Sequence, residues 1–546
     1  MQRQGITCPA PCGPVSVRGR ALCVGDAAAA GAVPSGLVET RPAPCDLWTA
    51  EEAAAADRHT MGPCGIPSSV LMERAALCVA RVVADRARAA GLSVVALAGP
   101  GNNGGDAVAC ARILHGWNLE ATVVLSTDAD RGALAEQVAW ARAAGVPVLD
   151  ARAPLPDGPA VWVDGLLGTG SRGAPRGGVA RRIAQLRARR GPVVAVDVPS
   201  GVDPTTGAVA DLHVSADVTV TFGRSKPGLH VTPGRASAGR VYVASMGLVS
   251  DPSTRGEHRL VDPRAVAAWV GGLPAGPHKG ARGRLVVVGG GRGTPGAAVL
   301  AGAAALRAGA GIVEVATPNA GVRAQLVAHR PELVAASTLD PAAFDRTTAA
   351  VVGPGLTDPE GVAVAAVWWS EAPVPAVFDA SALAHLPASR GPASRIVTPH
   401  PKEAARMLAA AQAGPAGVAW IQAHRIEAAR RLCEATGAIV VLKGAGTVVA
   451  HPDGRLAVAT EGGPALSTGG TGDVLAGLVG ALLARGLDPW RAACAGVHLH
   501  AIAGSRARRD VDAEDVGVVA MDVAEAIPAA LADPTRAERY PALLEG

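Results

Sequence analysis

Aromatic residues are scarce in this 546-residue chain: two tyrosines, three phenylalanines and nine tryptophans, 3% in all. Proteins that stack on nucleic-acid bases interleave aromatics with basic runs, and no long Lys/Arg run is present. With 51 basic and 47 acidic residues the formal net charge is only +4, so nucleic acid is not expected as a partner. No apolar stretch reaches the length of a membrane span, so none is expected. The nine cysteines include no CxxC pair, and although Cys8, Cys12, Cys23 and Cys45 lie close to the start, they read as free thiols of a cytoplasmic protein rather than as a disulfide or metal framework. Residues 1–45 lack the apolar core of a signal peptide and read as a disordered extension.

What is abundant is Ala, Gly and Val. The 68 glycines and 42 prolines punctuate apolar runs instead of forming a low-complexity tract, and the length calls for at least two domains. Thr49 followed by Glu52 is a capping-box signature opening a helical stretch over 46–90. Strands are expected at 93–98, 161–164, 192–197, 218–222 and 240–244, alternating with helical segments. A Pro/Ser/Gly break at 250–258 marks a domain boundary. A second series follows, with strands at 284–288, 311–316, 349–352, 376–379, 395–397 and 438–442. Such alternation predicts an α/β fold with largely parallel sheets.

The strongest chemical signal is Ser467-Thr-Gly-Gly-Thr-Gly-Asp-Val-Leu-Ala-Gly. A glycine turn there opens a helix whose apolar face carries Val474, Leu475, Leu478, Val479, Leu482 and Leu483. Backbone N–H groups at such a turn cradle an anion. Asp473 would repel a phosphate, so its sensible roles are a base facing a hydroxyl or an N-terminal cap. Four further strand ends carry loops that converge on the same edge: Val352-Gly-Pro-Gly-Leu, Phe378-Asp-Ala-Ser, Thr398-Pro-His-Pro-Lys-Glu and Lys443-Gly-Ala-Gly-Thr. Gly291 to Gly296 is a literal GxGxxG with Glu314 further on, as in a dinucleotide site. Pro295 inside the loop and the mid-strand position of Glu314 argue against that reading.

These C-terminal motifs, with Lys279-Gly and Ala304-Ala-Leu-Arg-Ala-Gly-Ala-Gly, resemble the ribokinase-like superfamily and within it the ADP-dependent NAD(P)H-hydrate dehydratases. The resemblance covers 258–535 and implies a ribokinase-like three-layer sandwich. It implies Asp473 as catalytic base, and Ala297, Gly355 and His400, with Asp473, at the hydrated dinucleotide. Lys443, Gly444, Ala445, Gly446, Thr447 and Gly472 are implied at the nucleotide, with Mg²⁺ assisting and ADP as phosphate donor, although nothing in the loops separates ADP from ATP. Ser381 stands where the family commonly has a second Asp, and Asp379 is expected to play a supporting role.

In the first half, Ala98-Gly-Pro-Gly-Asn-Asn-Gly-Gly-Asp follows one strand, and two more strands end in Asp164-Gly-Leu-Leu-Gly-Thr-Gly and Asp197-Val-Pro-Ser-Gly-Val-Asp. Oxygens of Asn, Asp and Ser at neighbouring strand ends suit a hard cation or a polar ligand, and each alone also suits a turn. With Leu71-Met-Glu and Phe222-Gly-Arg-Ser-Lys-Pro-Gly-Leu, they resemble the NAD(P)H-hydrate epimerases over 46–250, which implies a Rossmann-like three-layer sandwich. By that resemblance Asn103, Asp164 and Ser200 hold K⁺. Asn102, Asn103, Gly104, Gly105, Asp106, Gly168, Thr169, Gly170, Ser171, Arg172, Gly173, Ala174 and Asp197 contact the hydrate, and Asp197 is the candidate for handling the proton or hydroxyl. Arg74 and Ala107 depart from the family's Asn and Gly.

Together the two halves resemble the bifunctional NAD(P)H-hydrate repair enzymes, with small molecules as partners, a cytoplasmic location and a homo-oligomeric state. Two alternatives stay open: a kinase of a hydroxylated heterocycle, and a non-catalytic first half that only binds.

Overall fold

In the computed structural model of the chain the described residues are 40–545, apart from 130, 252–255, 272–281, 318, 358, 388–389 and 513–515. Lys279-Gly280 and residues 1–39 of the expected extension lie outside them. Among the described residues no helix is long and apolar enough to cross a membrane.

The strands, in chain order, are β1 (Thr40–Pro42), β2 (Val94–Ala98), β3 (Ala121–Leu125), β4 (Val148–Leu149), β5 (Val161–Gly165), β6 (Val193–Val196), β7 (Val218–Phe222), β8 (Arg240–Ser245), β9 (His258–Leu260), β10 (Arg284–Val288), β11 (Ile312–Ala316), β12 (Val334–Ala336), β13 (Ala349–Val352), β14 (Ala376–Phe378), β15 (Arg395–Val397), β16 (Ile439–Leu442), β17 (Val448–Ala450), β18 (Leu456–Val458) and β19 (Ala542–Glu545). They build two sheets. The first runs β1-β19-β8-β7-β6-β5-β2-β3-β4, parallel except where β1 meets β19. The second runs β12-β11-β10-β13-β14-β15-β16-β17-β18-β9, parallel from β12 to β16 and then antiparallel to β18. In both, the βαβ crossovers cover the faces with helices, the three-layer α/β arrangement expected.

The central strands of the second sheet show why the layers form. Side chains alternate across a strand. Leu285, Val287, Val313 and Val351 face one core with helices Pro295–Arg307, Thr471–Ala484 and Pro489–Asp510. Val286, Val288, Ala350 and Val352 face the other, with Trp368, Trp369 and Leu408. A strand buried on both faces must read as a continuous apolar run, and Leu285-Val-Val-Val does.

Helix Thr471–Ala484 differs from the one-faced helix the sequence suggested: from Val474 to Ala484 it is buried on every side. Gly477 and Gly480 make that enclosure possible. A Cβ at Gly477 would lie 2.0 Å from the Ala301 carbonyl oxygen, and one at Gly480 2.3 Å from a Val351 methyl.

Residues 40–45 are not part of an unstructured extension. β1 pairs with β19, the Ala43 amide donates to the Pro541 carbonyl, and the Leu260 amide donates to the Cys45 carbonyl. The physical reason is a sheet edge: β19 needs a second partner, and three residues supply it. The Leu47 amide donates to His258 and Trp48 to Ser225, so this short stretch is stitched to the second sheet as well as the first. The helical reading of 46–90 resolves into two helices, Ala50–Met61 and Ser68–Ala90, and the Thr49/Glu52 capping box forms at the first.

Candidate functional sites

The C-terminal site lies at the carboxyl ends of β10, β13, β14, β15 and β16. Gly470, with φ 91°, is the N-cap of helix Thr471–Ala484, and no side chain caps it. Asp473 is therefore not the capping residue. It sits in the first turn, half-buried, with the helix N-terminus open to a ligand. Burial first, and the Asp379 carboxylate second, push its carboxyl up to about 7, against the opposing charge of Lys443. A carboxyl titrating near neutral pH is suited to general-base work.

Asp379 is the residue whose importance the sequence understated. It is buried beside the site, and its Oδ1 takes the Lys443 Nζ at 2.6 Å. Glu403 lies 3.9 Å from the same ammonium. Burial disfavours the Lys443 charge, but Asp379 and Glu403 outweigh it and hold the pKa above its ordinary value. Gly472 leaves the room this cluster needs: a Cβ there would stand 3.2 Å from Lys443 Nζ and 3.6 Å from Asp379 Oδ2.

His400 caps helix Pro401–Ala410. Its Nδ1 accepts from the Lys402 and Glu403 amides, and Glu403 Oε2 accepts from the His400 amide. A ring whose Nδ1 is an acceptor carries its proton on Nε2. Burial and the nearby Lys443 lower the His400 pKa, so the imidazole is neutral and offers one N–H donor. Glu403 was visible in the sequence as the fourth residue of a His-x-x-Glu capping box.

Gly355 and Ala297 meet. A Cβ on Gly355 would be 3.2 Å from the Ala297 Cβ and 2.4 Å from the Thr294 carbonyl oxygen, and the Gly290 and Gly291 amides donate to Pro354 and Gly355. The loop 443–447 is closed by Thr447, whose hydroxyl donates to the Gly444 carbonyl and accepts from the Gly444 amide. Gly444 and Gly446 take φ of 143° and 72°, and Gly444 and Ala445 are exposed. Glu314, the acid that could have completed a dinucleotide site, is mid-strand and pairs with Arg284 at 3.8 Å.

The N-terminal site has two poles. At the first, Asp164 is fully buried at the end of β5. Its Oδ1 accepts from the Leu166 amide and from the Ser200 hydroxyl at 2.7 Å, and its Oδ2 from the Ser200 amide. The Leu167 amide donates to Ser200 Oγ, and Asn103 Nδ2 to the Leu167 carbonyl. Asn103, Asp164 and Ser200 are thus brought together. Burial raises the Asp164 pKa to about 6 despite these hydrogen bonds, because every partner is neutral.

At the second pole stands Asp197, buried, at φ 64°. Its Oδ1 takes the Lys226 Nζ at 2.8 Å and the Thr221 hydroxyl, and its Oδ2 takes the Thr169 amide. Burial alone would raise this carboxyl, but Lys226 and these donors hold it below its ordinary value. Asp106 is buried just past the first turn of helix Asn102–Gly116, and burial, then Asp197 and Asp57, raise it well above the usual range. Gly104 allows that turn to close, since a Cβ would lie 2.0 Å from the Gly99 carbonyl oxygen. Arg172, Gly173 and Ala174 are exposed rather than drawn in with Asp197. Lys226 and Asp57 were not singled out from sequence. Lys226 could have been, as the one lysine in the Phe222-Gly-Arg-Ser-Lys-Pro-Gly motif that follows β7.

Of the family departures, Ala107 is buried and its methyl fills the space over Gly165, where an added Cβ would be only 2.4 Å away. Arg74 is exposed, with its guanidinium against Gly247.

Comparison with known proteins gives two family matches, to NAD(P)H-hydrate dehydratase over residues 285–529 and to the YjeF-related protein N-terminus over 68–228. A bifunctional NAD(P)H-hydrate repair enzyme of Escherichia coli is 37% identical over 477 residues, spanning 84% of this chain and 89% of its own. The enzyme of the same name from Moorella thermoacetica is 35% identical over 503 residues, 85% of this chain and 92% of its own. Among solved structures, an ADP/ATP-dependent NAD(P)H-hydrate dehydratase of Bacillus subtilis, crystallised with ATP and Mg²⁺, is 31% identical. It covers 50% of this chain and 96% of its own, with a TM-score of 0.45.

Proposed function

The chain belongs to the family of bifunctional NAD(P)H-hydrate repair enzymes, and from this we propose that it restores hydrated NADH and NADPH by two activities on its two sheets. The first half interconverts the R and S hydrates. The second dehydrates the S hydrate with ADP, giving NAD(P)H, AMP and phosphate. One observation carries the second step: an ionisable carboxyl, Asp473, poised near pH 7 at an uncapped, glycine-opened helix start.

In the dehydration, Asp473 accepts the proton of the hydrate's ring hydroxyl. That oxygen attacks the β-phosphorus of ADP, the bond from phosphorus to the bridging oxygen breaks, and AMP leaves. The phosphorylated oxygen then departs as phosphate, and the ring loses a proton to regain its double bond. Lys443, held by Asp379, would stabilise phosphate charge as a fixed cation. The N–H groups of Gly472 and its neighbours would receive the oxygens. Neutral His400 would donate from Nε2 to the hydrate, with Ala297 and Gly355 shaping the floor. Lys443, Gly444, Ala445, Gly446, Thr447 and Gly472 would hold the nucleotide.

Among the described residues no group of three or more His, Cys, Asp or Glu is arranged to bind a metal. A Mg²⁺ carried on the nucleotide's own phosphates, as Mg²⁺ commonly is, would neutralise charge on the transferring phosphoryl group. The Asp164 pole fits K⁺ differently. A buried carboxylate with only neutral partners lacks a counter-charge, and the oxygens of Asn103, Asp164 and Ser200 supply a hard donor set. Asn102 to Asp106, Gly168 to Ala174 and Asp197 would line the hydrate. Asp197, kept ionised by Lys226, would move the proton or hydroxyl at the hydrated carbon. Among the described residues six cysteines are free, four of them buried, which suits a cytoplasmic location.

The test is the return of reduced-nicotinamide absorbance from a mixed-epimer NADH hydrate with ADP, Mg²⁺ and K⁺. The native chain should restore it fully and Asp473→Asn not at all. Restoration that stops once the S epimer is used would retire the epimerase. No restoration, with ADP unconsumed, would retire the repair reading altogether and favour a kinase.

A further inference from the structure

The proposed nucleotide loop does not stand alone. It is a crossing point between the two halves of the chain. The Ala445 carbonyl accepts from the Thr232 hydroxyl at 2.8 Å and from the Thr232 amide at 3.4 Å. Gly446 fits flush against the His230 backbone, where an added Cβ would lie 2.1 Å from the His230 carbonyl oxygen. Arg235, from the short helix Gly234–Ala238, extends over the same side. Its Nη1 reaches the Ala459 carbonyl at 3.4 Å and its Nη2 the Gly462 carbonyl at 3.3 Å. The Ala459 amide in turn donates to the Thr447 carbonyl, which ends the loop. The bonds that cross between the halves all run one way: Thr232 and Arg235 of the first half donate, and carbonyls of Ala445, Ala459 and Gly462 in the second accept.

The loop's own restraints are few. Thr447 closes it locally, and Arg425 Nη2 donates to the Leu442 and Lys443 carbonyls at its base. The exposed tip at Ala445 is fixed from outside. A loop whose backbone must meet a phosphate or a ribose within a few tenths of an ångström gains affinity from being held in that geometry beforehand.

We infer that Thr232 and Arg235 of the N-terminal half are positioning residues for the nucleotide loop of the C-terminal half, so that the first half contributes directly to nucleotide affinity in the second. This depends on the reading of 443–447 as the nucleotide loop. Neither residue is placed at the epimerisation chemistry. Lys226, which is, lies upstream of Thr232 and keeps its own anchor on Asp197.

The experiment uses the full chain and three variants, Thr232→Val, Arg235→Met and Arg235→Lys. ADP affinity is measured by calorimetry, and the KM for ADP, kcat and the epimerase rate by turnover. Thr232→Val keeps the shape and removes the hydroxyl donor, and should weaken ADP by about fivefold, the effect of one hydrogen bond. Arg235→Met should weaken it by more than tenfold, and Arg235→Lys should recover part of the loss. In all three, kcat, the KM for the hydrate and the epimerase rate should stay within about twofold. A merely structural role would lower every parameter together. ADP binding unchanged in all three variants, with the native chain binding ADP, would overturn the inference and leave the loop's assignment standing. A native chain that does not bind ADP would overturn both. Should Arg235→Met fail to fold, Thr232→Val still decides.

Discussion

The Lys226–Asp197 pair allows a sharp test of how the epimerase half is held. Both side chains are buried, and the charges stand 2.8 Å apart. At an effective dielectric constant near 20, such a pair attracts by about 6 kcal/mol. Much of that is spent on desolvation, and breaking a buried pair by removing one partner costs about 3–5 kcal/mol. Lys226→Met leaves Asp197 with neutral donors in a dry pocket near Asp106. The cost should depend on pH in a defined sense. In the native chain the depressed Asp197 pKa contributes stability above the ordinary carboxylate pKa, and this is lost as pH falls through the folded value. In the variant, burial without a counter-charge raises the carboxyl, so stability declines as pH rises above the ordinary value. The two curves should therefore separate by about 3–5 kcal/mol at neutrality and converge only in acid, once pH falls below the depressed folded value of Asp197. Adding Asp197→Asn should recover more than half of the loss at neutral pH, because the orphaned charge is gone. Thermal unfolding by calorimetry and urea midpoints at the two pH values would measure this. A loss equal at both pH values, with no recovery in the double variant, would refute the electrostatic account and leave a packing defect.

Other expectations follow from single contacts. The acid limb of dehydratase kcat/KM should fall with an apparent pKa near the Asp473 value of about 7. Asp379→Asn, which removes the second cause of that elevation and releases Lys443 toward Asp473, should move the limb to lower pH. Asp164, raised to about 6, costs stability as pH rises toward that value, and a bound cation would cancel the cost. The rise in melting temperature on replacing Na⁺ by K⁺ should grow as pH passes through 6, and vanish in Asp164→Asn. Gly165→Ala would put a Cβ 2.4 Å from the Ala107 methyl and 2.7 Å from the Asn103 carbonyl oxygen. It should destabilise by about 1–3 kcal/mol and lower epimerase activity, and pairing it with Ala107→Gly should relieve only part, as thermal melts and epimerase rates would show.

Much of the sheet core was readable in the sequence because its strands are buried on both faces. Val218–Phe222, Ala349–Val352 and, after its first residue, Arg284–Val288 are uninterrupted apolar or β-branched runs that fall where they were expected. The two- and three-residue strands β4, β9 and β12 were not read, since no periodicity can show in so few positions; β14 and β15 are as short and were legible only because marked loops follow them. The chemistry followed the same division. Asp473, Lys443 and His400 announce themselves through glycine- and proline-marked loops after strands. Asp379 and Lys226 also follow strands, but what their local sequence does not show is the ion pair each makes with a residue more than a dozen positions away, a relation the fold creates.

The place of β19 bears on how the chain can be made and divided. The first sheet receives its strand beside β8 only after the whole second sheet has been synthesised. During translation the earlier half must therefore wait with the β8 edge unpaired, a template for mispairing with other nascent chains. Cutting the chain at the 250–258 break would make that vulnerable intermediate permanent. An engineered single-activity fragment would need β19 supplied in trans, or fused directly after β8 where the parallel register allows it. The chain is thus two sheets in space but one interlocked unit in assembly order.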